Sequence, residues 1–317
     1  MTGPADPRVE VPDELVSWHR KFFGEAGGAW IEALPDLAAA LLDRWQLRVD
    51  GASICGAIAL VLPVLRADGT PAVLKLQPVH AGQGDGEPAA LRAWNGDGAV
   101  RLLDHDPTSG SMLLERLDTA RPLATVRDDL AALQILSELL ARLCAVPAPA
   151  GVRRLSDVAA DLLDRVPRAL TLVREPSQHR SVQDCASALE EVLPEAGDRL
   201  LHCDLHYFNI LAPHQPDRRE PWLAIDPDPL AGDPGFALLA ALHNRWEQVV
   251  ATGDVARAIR RRFDLMTDIL GLDRRRATAW TLARILYYAL RDIEGDYTMW
   301  HTEPDRAIAR ILLDRAG

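Results

Sequence analysis

The chain has 317 residues, 48% of them hydrophobic, and a formal net charge of -11. That length exceeds the usual single core, so one bilobed unit or two domains are expected. The acidic balance, with no run of lysine or arginine long enough to form a patch, argues against nucleic acid and anionic membrane surfaces and suits a cationic small molecule.

The four cysteines, Cys55, Cys144, Cys185 and Cys203, form no CxxC pair, so neither zinc nor a disulfide framework is expected. Residues 1–11 are polar, and no apolar run reaches ~18 residues. The expectation is a soluble, cytoplasmic protein, a monomer or weak dimer.

Taken in order, apolar residues recur at helical spacing over 13–23 and 28–45, as in Trp30, Leu34, Leu37, Leu41 and Trp45, which predicts two leading helices. From 47 the pattern turns to β, with strands predicted over 47–49, 57–65 and 72–76 and a hairpin signal at Asp68-Gly69. Strands over 100–103 and 112–115 complete a five-stranded antiparallel sheet. The turn over 51–56 could bring backbone amides and Ser53 to phosphates; an ordinary hairpin turn is the competing reading.

Lys75 lies among Val73, Leu74 and Leu76 in an apolar strand, where a buried ammonium is costly without a partner anion. Glu87 is the nearest candidate. It opens the helical run 88–94, where a carboxylate also suits the helix dipole. In a phosphate-binding site Glu87 would hold the Lys75 ammonium towards the α and β phosphates. After Leu117 the periodicity becomes helical, with helices predicted over 128–146, 156–173, 181–193, 236–250, 254–270, 274–293 and 307–313. The lobe boundary therefore falls at 115/116, and the linker at Glu115 to Leu117 is a natural seat for a purine.

The stretch 200–211 reads Leu-Leu-His-Cys-Asp-Leu-His-Tyr-Phe-Asn-Ile-Leu and is followed by Trp-Leu-Ala-Ile-Asp at 222–226. Apolar residues bracketing two short polar clusters predict a buried β-hairpin that presents acids and amides at one end, and the polar stretch 212–221 reads as a hairpin connection. The polar order is that of phosphoryl transfer. Asp204 accepts the proton of an attacking hydroxyl, while Asn209 and Asp226 supply oxygen ligands for Mg²⁺ against the phosphates of ATP.

With those residues in place, the chain resembles the aminoglycoside phosphotransferases, within the streptomycin 6-kinase and hydroxyurea phosphotransferase group. The marks are Leu74-Lys75-Leu76, Leu91-Arg92-Ala93-Trp94, Met112-Leu113-Leu114-Glu115-Arg116-Leu117, the 200–211 loop, Ile225-Asp226-Pro227 and Gly232-Asp233-Pro234-Gly235-Phe236. The resemblance implies an α+β, bilobed protein-kinase-like fold: an N-terminal lobe over 1–115 with two leading helices, the five-stranded sheet and one helix, and a helical C-terminal lobe over 116–317. It also implies Lys75 on the α and β phosphates with Glu87 as partner, Glu115 to Leu117 as adenine hinge, Asp204 as base, and Asn209 and Asp226 on Mg²⁺. His206 falls where protein kinases carry a lysine touching the transferring phosphoryl, which implies a hydrogen bond to the γ-phosphate; a histidine that props the loop is the alternative. Two positions depart from the pattern. Ala237 stands where relatives carry an aspartate that braces the catalytic loop, and Phe208 where they tend to carry glutamate.

The acceptor is expected beside the C-terminal helices, where Asp292, Glu294 and Asp296 crowd one helix end, and near Asp228. Carboxylates there would take guanidinium or ammonium groups, as on streptomycin; a solvated acidic helix end is the bland alternative. Three readings stay open: an ATP-dependent kinase of an aminoglycoside hydroxyl, a kinase of another small hydroxylated compound such as hydroxyurea, a nucleoside antibiotic or an amino sugar, and a nucleotide-binding relative with little catalysis. A protein kinase does not fit, because the spacer from Asp226 to Gly232 is too short for an activation segment and no Ala-Pro-Glu follows.

Overall fold

In the computed structural model, which describes residues 9–56, 58–78, 86–214, 220–295 and 303–316, the chain divides into two units. One comprises Met1–Gly96, Val100–Leu117 and His214–Pro216, the other Asp97–Ala99, Asp118–Pro213 and Asp217–Gly317.

The first unit is led by α1 (Asp13–Arg44), which bends at Gly24 (φ 54°, ψ -131°). A residue without Cβ tolerates that conformation, so the two predicted helices run on as one kinked element. The sheet contains β1 (Arg48–Val49), β2 (Ile54–Cys55), β3 (Leu60–Leu65), β4 (Pro71–Leu76), β5 (Leu102–Asp106) and β6 (Ser111–Glu115), in the order β1-β3-β4-β6-β5 with β2 also on β3. It therefore has six strands rather than five. The extra one lies inside the predicted 51–56 turn, where Ile54 and Cys55 pair with Val61 and Leu60. α2 (Gly86–Trp94) follows β4.

Alternation along β3 and β4 puts Leu60, Leu62, Val64, Ala72, Leu74 and Leu76 into a core with Leu34, Ala38 and Leu41 of α1, where period 2 meets period 3.6. β5 runs later than predicted, into the polar stretch after 103. There Asp106 accepts from the Ser109 amide and hydroxyl at 3.1 and 2.6 Å and from Arg44, so the polar residues close the β5–β6 turn instead of ending the strand.

The second unit begins with β7 (Leu117–Pro122), a strand where helical periodicity is expected, and continues with α3 (Asp129–Cys144), α4 (Leu155–Leu172), α5 (Pro176–Val192), β8 (Arg199–Leu201), β9 (Ile210–Pro213), β10 (Leu223–Ala224), β11 (Leu230–Gly232), α6 (Leu239–Leu242), α7 (Trp246–Ala251), α8 (Val255–Leu270), α9 (Arg274–Ile293) and α10 (Glu303–Ala316). Asp128, Asp254 and Asp273 cap α3, α8 and α9 by accepting from the amides of Ala131, Arg257 and Arg276, the role short acids play at helix starts. α5 starts earlier than expected because Glu175 accepts from Ser177 and Pro176 fits the first turn. α9 is buried on nearly every side from Ala277 to Leu290 and packs against α4, α5 and α10.

Two sequence expectations are corrected here. The single helix over 236–250 is a 3-10 turn (Pro234–Ala237), α6 and α7, broken at Arg245, whose backbone is left-handed (φ 55°). Its guanidinium instead takes the carbonyls of Leu123, Ala124 and Val126, contacts that outweigh helix propensity. β8 and β9 do not pair with each other across 200–211. β8 pairs with β11, and β9 pairs with β10 across the hairpin connection expected at 212–221, both antiparallel, so two separate ladders frame the polar loops.

A Cβ at Gly232 would meet the Leu155 side chain at 2.5 Å. Gly232→Ala is expected to destabilise the protein by about 1–3 kcal/mol through overpacking of α4 on β11, read as a lowered Tm; an unchanged Tm would mean that α4 yields. Among the described residues no helix is long and apolar enough to cross a membrane.

Candidate active site

In the first unit, Lys75 stands in β4 between Val61 and Met112 of the neighbouring strands. Its Nζ donates to Glu87 Oε1 and Oε2 at 2.7 and 3.0 Å, with side-chain exposures of 9% and 1%. The partner anion required by the apolar strand is therefore the one at the start of α2. The Ser53 hydroxyl donates to the Glu10 carbonyl at 2.8 Å. The Glu115 amide donates to the Arg101 carbonyl at 2.9 Å, and its carboxylate accepts from the Arg101 amide, which leaves that N–H unavailable to a base. Leu117 is buried.

In the second unit, β8 delivers His202, Cys203 and Asp204, and β10 delivers Ile225 and Asp226. His202 ties the two loops together: its Nε2 meets the Ile225 carbonyl at 3.0 Å, and its own carbonyl accepts from the amides of Asp204 and Asp228 at 2.8 and 3.0 Å. Burial pushes its pKa down to about 3. The ring is therefore neutral, with its proton on the nitrogen that faces a carbonyl. Cys203 and Asp226 both sit in the left-handed region, φ 57° and 52°, a conformation that side chains rarely adopt and that surrounding contacts must hold.

Asn209 closes the loop. Its Nδ2 donates to the Asp204 carbonyl at 2.9 Å and to Asp204 Oδ2 at 3.0 Å. Nδ2 is thereby committed to Asp204, which leaves Oδ1 as the oxygen donor of that amide. Asp204 keeps 41% of its side-chain surface. Partial burial pushes its carboxyl up to about 6, helped by Asp228 and Asp226 and opposed by the Arg284 guanidinium and the Asn209 amide. His206 Nδ1 accepts from the amides of Phe208 and Asn209, both at 3.2 Å. Burial and the nearby His243 push its pKa down to about 4, so the single proton of the ring lies on Nε2, 3.9 Å from Asp204 Oδ2. His206 thus props the loop with one nitrogen and keeps a donor on the other. Phe208 is 63% exposed.

The acids expected at the acceptor are differently placed. Asp228 is paired with Arg153 at 2.6 Å, and Glu294 is held by Arg165 at 2.6 and 3.3 Å, tying the end of α9 to α4. Asp292 is exposed, and Asp296 lies outside the described residues. Among the described residues no group of three or more His, Cys, Asp or Glu side chains could hold a metal ion. Mg²⁺ bound between phosphates and protein needs only one or two protein oxygens, and the Oδ1 of Asn209 with the exposed Asp226 carboxylate fits that donor set.

Sequence reasoning missed the arginines behind the loop. Arg245 lies over the Tyr207 ring at 4.2 Å, and Arg284 donates to the Cys203 carbonyl at 3.2 Å. Arg284 sits in an apolar helical run, the same signal that singled out Lys75.

Solved structures share this architecture. A choline/ethanolamine kinase family protein from Mesorhizobium loti superposes with a TM-score of 0.56 at 18% identity, covering 90% of this chain and 92% of that one. The molecule is an α+β phosphotransferase of protein-kinase-like fold, with ATP as co-substrate. It belongs to the aminoglycoside/hydroxyurea antibiotic resistance kinases, whose family model matches residues 44–295. A streptomycin 6-kinase from Streptomyces glaucescens is 57% identical over 286 residues, 90% of this chain and 92% of that protein. A hydroxyurea phosphotransferase from Kitasatospora aureofaciens is 50% identical over 312 residues, 98% of this chain and 87% of that protein.

Proposed function

We propose that the protein transfers the γ-phosphate of ATP to a hydroxyl of an aminoglycoside, in the manner of a streptomycin 6-kinase. The observation that carries the chemistry is the Asn209 amide bonded to both the carbonyl and the carboxylate of Asp204, because it holds a carboxylate and an amide oxygen on one loop. Asp204 takes the proton of the acceptor hydroxyl as that oxygen attacks the γ-phosphorus and the bond to the β-phosphate oxygen breaks. His206 donates from Nε2 to the γ-phosphate. Lys75, oriented by Glu87, contacts the α and β phosphates, and the Glu115 to Leu117 segment takes the adenine. Asn209 Oδ1 and Asp226 would hold Mg²⁺, which when bound neutralises phosphate charge.

The acceptor reading rests on the relatives named above and on the net charge of -11. Asp292, Asp296 and the Arg153-paired Asp228 are the acids left for a cationic acceptor, while Glu294 is committed to Arg165. That commitment, with the hydroxyurea phosphotransferase matched over 98% of this chain, favours a smaller neutral hydroxylated acceptor as the second reading. The four free cysteines suit the reducing cytoplasm, where a monomer or weak dimer would act. ATP consumption should be measured against streptomycin, hydroxyurea, a nucleoside antibiotic and an amino sugar, with product mass determined. Streptomycin is expected to give the highest kcat/KM by at least about tenfold, a difference of about 1.4 kcal/mol in transition-state binding. Turnover of hydroxyurea alone would replace the first reading with the second.

A further inference from the structure

Arg284 is 5% exposed in the middle of α9, and among the described residues no carboxylate lies within ion-pairing distance of it. A buried guanidinium without a paired anion is costly unless its hydrogens and charge are otherwise satisfied. Here its Nη2 donates to the Cys203 carbonyl at 3.2 Å and to the Tyr288 hydroxyl at 2.8 Å. The rings of Phe236, Tyr287 and Tyr288 lie 5.0, 4.9 and 4.8 Å from its central carbon, within the range of cation–π attraction. Its carbonyl partner belongs to a residue at φ 57° that immediately precedes Asp204.

Phe236 supplies one face for the guanidinium, and Ala237 beside it is buried and carries no side-chain polar atom. We propose that Arg284 is a positioning residue for phosphoryl transfer. From α9 it fixes the Cys203 carbonyl, holds Cys203 in its left-handed conformation and so sets the position of Asp204. The aromatic faces orient the guanidinium, and Tyr288 fixes its remaining rotation.

The inference rests on the kinase reading for its effect on turnover but not for its effect on the loop, so two readouts are needed. Arg284→Met fills a similar volume without donors, Arg284→Lys restores a charged donor, and Tyr288→Phe removes one hydrogen bond from the guanidinium. With ATP and the best acceptor, Arg284→Met is expected to lose roughly a hundredfold in kcat, the scale of a small misplacement of reacting groups, with KM for ATP within about threefold of the parent. Arg284→Lys should recover about tenfold of that loss. Independently of turnover, the Asp204 amide, which donates to the His202 carbonyl, should exchange about tenfold faster with solvent deuterium in Arg284→Met, as expected of a locally loosened loop.

A folded Arg284→Met variant with parental kcat and parental exchange overturns the proposal, as does a lysine variant no better than the methionine one. If Arg284→Met does not fold, Tyr288→Phe decides: about threefold lower kcat with faster exchange supports the brace, and no change in either overturns it. A parent inactive on every acceptor refutes the functional reading alone, because the exchange comparison still judges Arg284.

Discussion

Asp204→Ala is expected to abolish most phosphoryl transfer while leaving ATP binding nearly intact. Positioned general bases contribute about 10²–10⁴-fold, so kcat should fall by that much. The geometry explains why nucleotide binding survives. Asn209 holds its amide on two acceptors, the Asp204 carboxylate and the Asp204 carbonyl, and the substitution removes only the first. The bond to the backbone carbonyl still orients the amide, so the proposed metal oxygen keeps its direction. Asp204→Asn keeps a carbonyl acceptor for Asn209 and loses only basicity, which makes it the stricter test. Single-turnover kinetics and ATP titration of both variants separate the effects; undiminished turnover in either would remove Asp204 from the reaction.

The same loop shows which features the chain declares locally. The Lys75–Glu87 pair was legible because it sets an ammonium among apolar neighbours, where burial requires a partner, and the polar loop at 202–209 because apolar runs bracket it. The helices over 128–146, 254–270 and 274–293 were legible from their apolar periodicity; the structure adds that Asp128, Asp254 and Asp273 cap them. What failed depended on distant contacts. The run at 210–211 pairs with 223–224 as the polar connection at 212–221 suggested, whereas the run around 200 pairs with β11 from further along the chain, and alternation does not specify which run a strand will choose. Arg245 reads as an ordinary helix residue until Leu123, Ala124 and Val126 present three carbonyls to it. Glu294 reads as a solvated helix end until α4 brings Arg165 alongside.

Arg284 and Lys75 are two solutions to one physical problem, a cation inside an apolar element. Lys75 is paired with a carboxylate, whereas Arg284 is held by a carbonyl, a hydroxyl and aromatic faces. The difference matters for function. An ammonium held by a carboxylate is a compact charge that a phosphate can approach, whereas a guanidinium enclosed by rings is committed to the backbone it holds. The first arrangement suits a ligand contact and the second a scaffold.

Substitutions at the buried pair should therefore separate stability from nucleotide use. Lys75→Ala strands the Glu87 carboxylate at 1% exposure, and breaking one side of such a pair costs about 3–5 kcal/mol. A lowered Tm is expected from that alone, so a loss of activity in the single variant is ambiguous. The double variant Lys75→Met, Glu87→Leu removes both charges and refills the volume with apolar side chains, which is often neutral or stabilising for buried ion pairs. Its Tm should return close to the parent. Its use of ATP should not, because a hydrogen bond to a charged group contributes about 1.5–3 kcal/mol, equivalent to roughly 10- to 100-fold in KM for ATP. A double variant with parental Tm and parental KM would show that the pair serves only the core of the sheet, and the phosphate role of Lys75 would fall with it.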